Sequence, residues 1–241
     1  MDNVPTVSDT KRAFYQVHTR PINSIYRRVV EELMVEMHLL SVNVDFKYDP
    51  IYALGVVSSY NRFMQGYRPE ADKDSIFQAL ARALGVDPQQ YRQDAQSLES
   101  LAADLSGEEA LSVLNGSGSP EKASQLSKAI DEIAAASNFK YSRLFAIGLY
   151  VFLELSDEKL VKDENRLEEA LQSICTKLGI SSEKTQKDLE LYRSNLEKMM
   201  QAQIVMEDIL KADRKKRQER EEAKQAVTAP PSDSSDEATS E

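Results

Sequence analysis

Residues 84–90 read Leu-Gly-Val-Asp-Pro-Gln-Gln, and they hold the end of one helix and the start of the next with nothing between. Gly85 suits the left-handed residue that closes a helix, and Val86 is the apolar residue that folds back on the last turn. Asp87 then offers a side-chain oxygen to the free N–H groups of the next helix. Pro88 takes the first helical position, where its missing N–H costs nothing, and Gln90 stands where a capping box needs it. The same stop recurs at Leu178-Gly179-Ile180, and the same start at Asp49-Pro50 and Ser119-Pro120; Ser106 with Glu109 forms a further capping box. A chain punctuated in this way is a string of helices joined by tight turns.

Extended in both directions, this grammar predicts helices over about 8–19, 22–41, 50–66, 72–84, 88–105, 120–137, 141–155, 163–178 and 182–222. Segment 42–48 alternates like a strand, but one strand has no partner here, and it reads as an extended loop. The most apolar run, LFAIGLYVFL at 144–153, is half the length of about 20 residues that a membrane span needs. It reads as a buried helix. Gly148 sits in its middle, where glycine costs ~1 kcal/mol relative to alanine, and this predicts a second helix crossing closely over it. The fold class expected is all-α: a multi-helix globular body with a long C-terminal coiled-coil-like helix. The body covers 1–180, and the flexible Asn-Gly-Ser-Gly-Ser segment at 115–119 offers a division into sub-lobes on either side. The long helix covers 181–224, and the Pro-, Ser- and acid-rich tail 225–241 reads as disordered.

Composition fits this reading and removes several function classes. Only eight Gly and eight Pro in 241 residues leave too little turn punctuation for an all-β or α/β chain. A net charge of −10 argues against nucleic acid as a partner, because phosphate neutralisation supplies most of such affinity. The acidity is uneven: residues 211–224 hold seven Lys/Arg against four Asp/Glu. The single cysteine, Cys175, rules out a disulfide framework within the chain. The start, Met-Asp-Asn-Val-Pro, has neither the basic opening nor the apolar run of a secretory signal.

No arrangement of side chains in the sequence points to catalysis or to a metal. The two histidines, His18 and His38, lack the Glu-x-x-His pairing of a di-iron bundle, and no phosphate-cradling glycine loop is present. Cys175 lies on an amphipathic helix and reads as a small buried apolar residue. Carboxylate pairs such as Glu31/Glu32 and Glu168/Glu169 sit where solvated helix faces are expected. The enzyme-class alternative is an all-helical haem- or other cofactor-binding protein with His18 as axial ligand. Against it, a histidine just before Arg20-Pro21 is at home at a helix end, where the dipole favours it. A general helical scaffold is the other alternative. The catalytic, cofactor and metal assignments are therefore none.

The candidate partner-binding surface is the last helix. Leu189, Tyr192, Leu196, Met199, Gln203, Met206 and Leu210 follow alternating steps of three and four, a heptad seam with one polar step at Gln203. Ile204, Val205 and Ile209 widen the stripe enough for this part to pack on the protein's own body instead. Beyond Leu210 the seam gives way to charge, with Arg214 and Arg217 as candidates for an acidic protein or lipid surface. Tyr60, Phe63 and Tyr67 fall on one helical face, which is either a packing seam or a rival binding patch; packing is the commoner use of such a stripe.

Three segments carry a resemblance to a known family: VSDTKRAFYQVHTRPI at 7–22, DPIYALGVVSSYNRFMQGYRP at 49–69 running on into IFQAL at 76–80 and DPQQYRQDAQ at 87–96, and FKYSRLFAIGLYVFLE at 139–154. Together they resemble the thylakoid formation family, also called the photosystem II biogenesis and repair protein family. The resemblance covers most of 7–215. It implies a non-enzymatic auxiliary factor of thylakoid membrane biogenesis and photosystem II repair, working through association with membrane-bound FtsH protease complexes. It also implies an all-helical fold with a long C-terminal helix. Plastid members carry a transit peptide, and the acidic start of this chain is unlike one, so the resemblance is to the cyanobacterial type. The location implied is cytoplasmic, peripheral to the cytoplasmic face of the thylakoid, with photosystem II an indirect partner. The family supplies no catalytic motif.

Overall fold

The structure, a computed structural model, describes residues 4–118 and 120–228, the last seven of them as backbone only. Among the described residues there is no strand. The helices are α1 Val7–Val17, α2 Ser24–Ser41, α3 Pro50–Phe63, α4 Asp72–Ala83, α5 Pro88–Ala103, α6 Gly107–Leu114, α7 Ser124–Ala135, α8 Arg143–Ser156, α9 Glu158–Lys162, α10 Glu164–Leu178 and α11 Ser182–Thr228.

The punctuation works as its chemistry demands. The Asp49 carboxylate accepts the Tyr52 N–H at 2.8 Å to open α3, and Asp87 accepts the Gln89 N–H at 2.8 Å to open α5. Gly85 and Gly179 both adopt positive φ, and the N–H groups of Val86 and Ile180 reach back 3.0 Å to the carbonyls of Ala81 and Cys175. Gln90 departs from expectation: its amide donates to Asp94 at 2.8 Å, one turn ahead, so Asp87 caps without a reciprocal partner. Two helices are additional to those expected. The Ser106–Glu109 box opens an eight-residue helix of its own, α6, which buries Ala110, Val113 and Leu114. Asp157 caps the five-residue α9. Ser119 lies outside the described residues; Pro120 precedes a 3-10 turn at Glu121–Ala123, and α7 begins only at Ser124. Segment 42–48 is a loop of turns.

The chain forms two compact units, Met1–Leu196 and Glu197–Glu241, whose boundary falls inside α11. The glycine-rich 115–119 segment lies within the first unit. That unit is built on α3 and α8, each buried over ten consecutive residues, Ile51–Tyr60 and Leu144–Leu153. An element buried all round must be surrounded. Helix α5 packs against both α3 and α8, α6 against α8, and α1 covers α4 and α2.

The two central helices meet at glycines. A Cβ on Gly55 would stand 1.8 Å from the Leu144 carbonyl oxygen, and one on Gly148 would stand 1.9 Å from that of Ile51. The close crossing expected at Gly148 is present, and Gly55 supplies its other half. Helix α11 runs on through Thr228, four residues into the stretch expected to be disordered, and 229–241 lie outside the described residues.

Candidate partner-binding surface

The heptad seam of α11 does not act as one surface. Its first two members belong to the core of the first unit: Leu189 and Tyr192 are each 3% exposed. The Tyr192 ring packs edge-on against Phe63 of α3 at 5.8 Å and against Tyr150 of α8 at 6.5 Å. Beside it Arg62 of α3 and Glu154 of α8 form a half-buried ion pair, and the Tyr150 hydroxyl donates to Glu154 at 3.3 Å. Burial among these groups pushes the Tyr192 phenol up to about 12 against the opposing pull of the nearby Arg62 guanidinium, and its buried Oη makes no hydrogen bond of good geometry. Closer to the start of α11, Asp188 accepts the Tyr141 hydroxyl at 2.7 Å and Lys184 sits over the Tyr141 ring. Aromatic packing and polar clasps thus fix the first turns of α11.

Further along the seam, Leu196, Gln203 and Met206 are half-buried, Met199 is buried, and Leu210, Arg214 and Arg217 are exposed. The three residues that widened the stripe, Ile204, Val205 and Ile209, are open to solvent, as are the seam's last member Leu210 and, outside it, Met200. Met200, Ile204, Val205, Ile209 and Leu210 are each between 50% and 60% exposed. Five large aliphatic side chains so exposed within eleven residues are unusual for a helix with no further role.

After Leu210 the helix is charged. Lys211–Glu207, Lys215–Glu219 and Arg217–Glu221 pair at i, i+4 on its surface. Such pairs support an exposed helix but add only tenths of a kcal/mol each, about 0.2–0.5.

The rival patch is internal. Tyr60 and Tyr67 are 2% and 1% exposed, the Tyr60 hydroxyl donates to the Lys73 carbonyl at 2.6 Å, and Tyr67 stacks edge-on against Tyr26 at 5.0 Å. Phe63 faces Tyr192. This stripe is a packing seam.

His18 is wedged between α1 and α4, 3% exposed, with Nδ1 2.9 Å from the Ser75 Oγ. The Ser75 hydroxyl also lies 3.2 Å from the Asp72 carbonyl, which ties the ring to the first turn of α4. Nε2 is buried with no partner. An iron could approach that nitrogen only after the packing around it had opened. Cys175 is buried, with Sγ 3.6 Å from the Thr185 Oγ1, and burial pushes its thiol up, away from the reactive thiolate. Among the described residues no group of three or more His, Cys, Asp or Glu is placed to hold a metal ion.

Comparison with known proteins places these features in context. The sequence model of the thylakoid formation protein family matches residues 6–221. The chain is 59% identical over 232 residues to Protein Thf1 of Nostoc punctiforme, covering 96% of this chain and 99% of that one. It is 57% identical over 220 residues to Protein Thf1 of Gloeothece citriformis, 91% of this chain and 97% of that one. The solved structure of Psb29 superposes with a TM-score of 0.77 at 44% identity, over 88% of this chain and 98% of that one.

Proposed function

Because this chain belongs to the thylakoid formation protein family, we propose that it is a non-catalytic auxiliary factor of thylakoid biogenesis and photosystem II repair that binds and stabilises FtsH protease complexes. The thylakoid role rests on the family. The protease contact rests on the resemblance together with one observation: the exposed aliphatic residues Met200, Ile204, Val205, Ile209 and Leu210, followed at once by a basic helical segment. No helix among the described residues is long and apolar enough to cross a membrane. A protein that meets an integral membrane complex in this way does so from the side, and the cytoplasmic face of the thylakoid is the location that fits.

In this reading α11 beyond residue 197 is the contact element. The aliphatic residues supply affinity by burial, at ~25 cal/mol per Å² of apolar surface covered. Arg214 and Arg217 supply orientation toward acidic protein surface. The test is co-purification of the FtsH complex with full-length tagged chain carrying Arg214→Glu and Arg217→Glu, after a far-ultraviolet spectrum shows the helix intact. Recovery should fall and should become less sensitive to salt. Unchanged recovery would remove these two residues from the contact.

A further inference from the structure

Ala202, Val205, Met206, Ile209 and Leu210 fall at i, i+3, i+4, i+7 and i+8 of α11, the spacing of one broad apolar helix face. The same face continues with Lys216, Arg217 and Arg220 at i+14, i+15 and i+18, interrupted by one acid, Asp213, at i+11. Glu207, Asp208 and Glu219 fall off it. Val205, Ile209 and Leu210 are exposed, as are the three cations. Lys216 and Arg220 have no ion pair among the described residues, whereas Lys211, Lys215 and Arg217 each have one.

We propose that this face, Val205 to Arg220, is a lipid-surface element: its aliphatic side chains enter the acyl boundary of a bilayer and its cations lie on anionic headgroups. The charge on the face selects this occupant: its exposed cations Lys216, Arg217 and Arg220 continue the aliphatic stripe and match a layer of anionic headgroups. Long cationic side chains next to an apolar face reach headgroups by snorkelling. The two cations left without a carboxylate partner gain most from a surface of negative charge. Val205, Ile209, Leu210 and Arg217 are shared with the proposed protease contact, and an assay with vesicles and no protease tests the lipid reading by itself.

The test is co-sedimentation of the full chain with vesicles of phosphatidylglycerol mixed into phosphatidylcholine, and with phosphatidylcholine alone. The wild-type chain should bind the anionic vesicles and lose most of that binding in high salt and on the neutral ones. Each cation near the surface is worth about fivefold in binding, so Lys216→Glu with Arg220→Glu should weaken it by at least about twentyfold. Val205→Asp with Ile209→Asp should abolish it. All four positions are solvent-exposed, and an unchanged melting temperature confirms the fold. A chain that ignores anionic vesicles overturns the proposal, and capture of FtsH complexes lost through Val205→Asp with Ile209→Asp would then assign the face to a protein. Vesicle binding that survives either pair of substitutions also overturns it.

Discussion

Gly148 and Ile51 sit so close that a Cβ on the glycine would stand 1.9 Å from the isoleucine carbonyl oxygen. A backbone oxygen in the first turn of α3 cannot swing aside as the end of a side chain can. Helix propensity alone makes Gly148→Ala a gain of ~1 kcal/mol; the collision reverses the sign. Gly148→Ala should lose ~1–3 kcal/mol, and Gly148→Leu at least as much. Urea denaturation checks both. An alanine variant more stable than wild type would mean that the two helices do not cross there.

Tyr192 tests how α11 is mounted. Its ring is wedged between Phe63 and Tyr150, and its buried Oη makes no hydrogen bond of good geometry. Tyr192→Phe removes only that hydroxyl and should be neutral or slightly stabilising. Tyr192→Ala removes the ring and should cost ~3–5 kcal/mol. Thermal melts of the two variants separate these effects. A destabilised phenylalanine variant would show that the hydroxyl has a partner.

His18 gives stability a pH dependence of known sign. Burial is the largest influence on the ring and lowers its pKa from the ordinary value of 6.5; Asp72 opposes this and Arg20 adds to it. The unfolded chain therefore takes up the proton first. The stability contributed by His18 is complete above about 6.5 and falls as the pH drops below it, levelling off under the depressed folded value. The slope for one proton is at most about 1.4 kcal/mol per pH unit. His18→Gln should flatten the stability profile between pH 5 and 6.5, measured by denaturant titration at each pH. An identical slope would assign the dependence to other groups.

The backbone plan was legible because helix ends are local chemistry. Asp49-Pro50, Asp87-Pro88, Gly85 and Gly179 each act within a few residues, so the sequence carries their meaning complete. Gly148 was legible for a related reason, since a glycine in an apolar helix has few other uses. Helix α6 escaped although its capping box was plain, because eight residues give too short a period to stand out from a loop. The pairing of Arg62 with Glu154 joins residues 92 positions apart, and no local pattern encodes it. The candidate surface was half legible. Periodicity put Leu189, Tyr192 and Leu210 on one seam, but Leu189 and Tyr192 are buried in the first unit and Leu210 is exposed, a difference that a repeat of three and four does not encode.

The most direct measurement is recovery of FtsH complexes from detergent-solubilised thylakoid membranes by tagged full-length chain and by a chain lacking 211–241. The deleted segment contributes no buried residue through 221, so the truncated protein should keep its helical spectrum and melt within about 2 °C of wild type, since surface changes of this kind stay near 0.5 kcal/mol. The account predicts that this folded, truncated chain recovers several-fold less protease than the full-length chain. Equal recovery by both would contradict it and return the contact to the helical body.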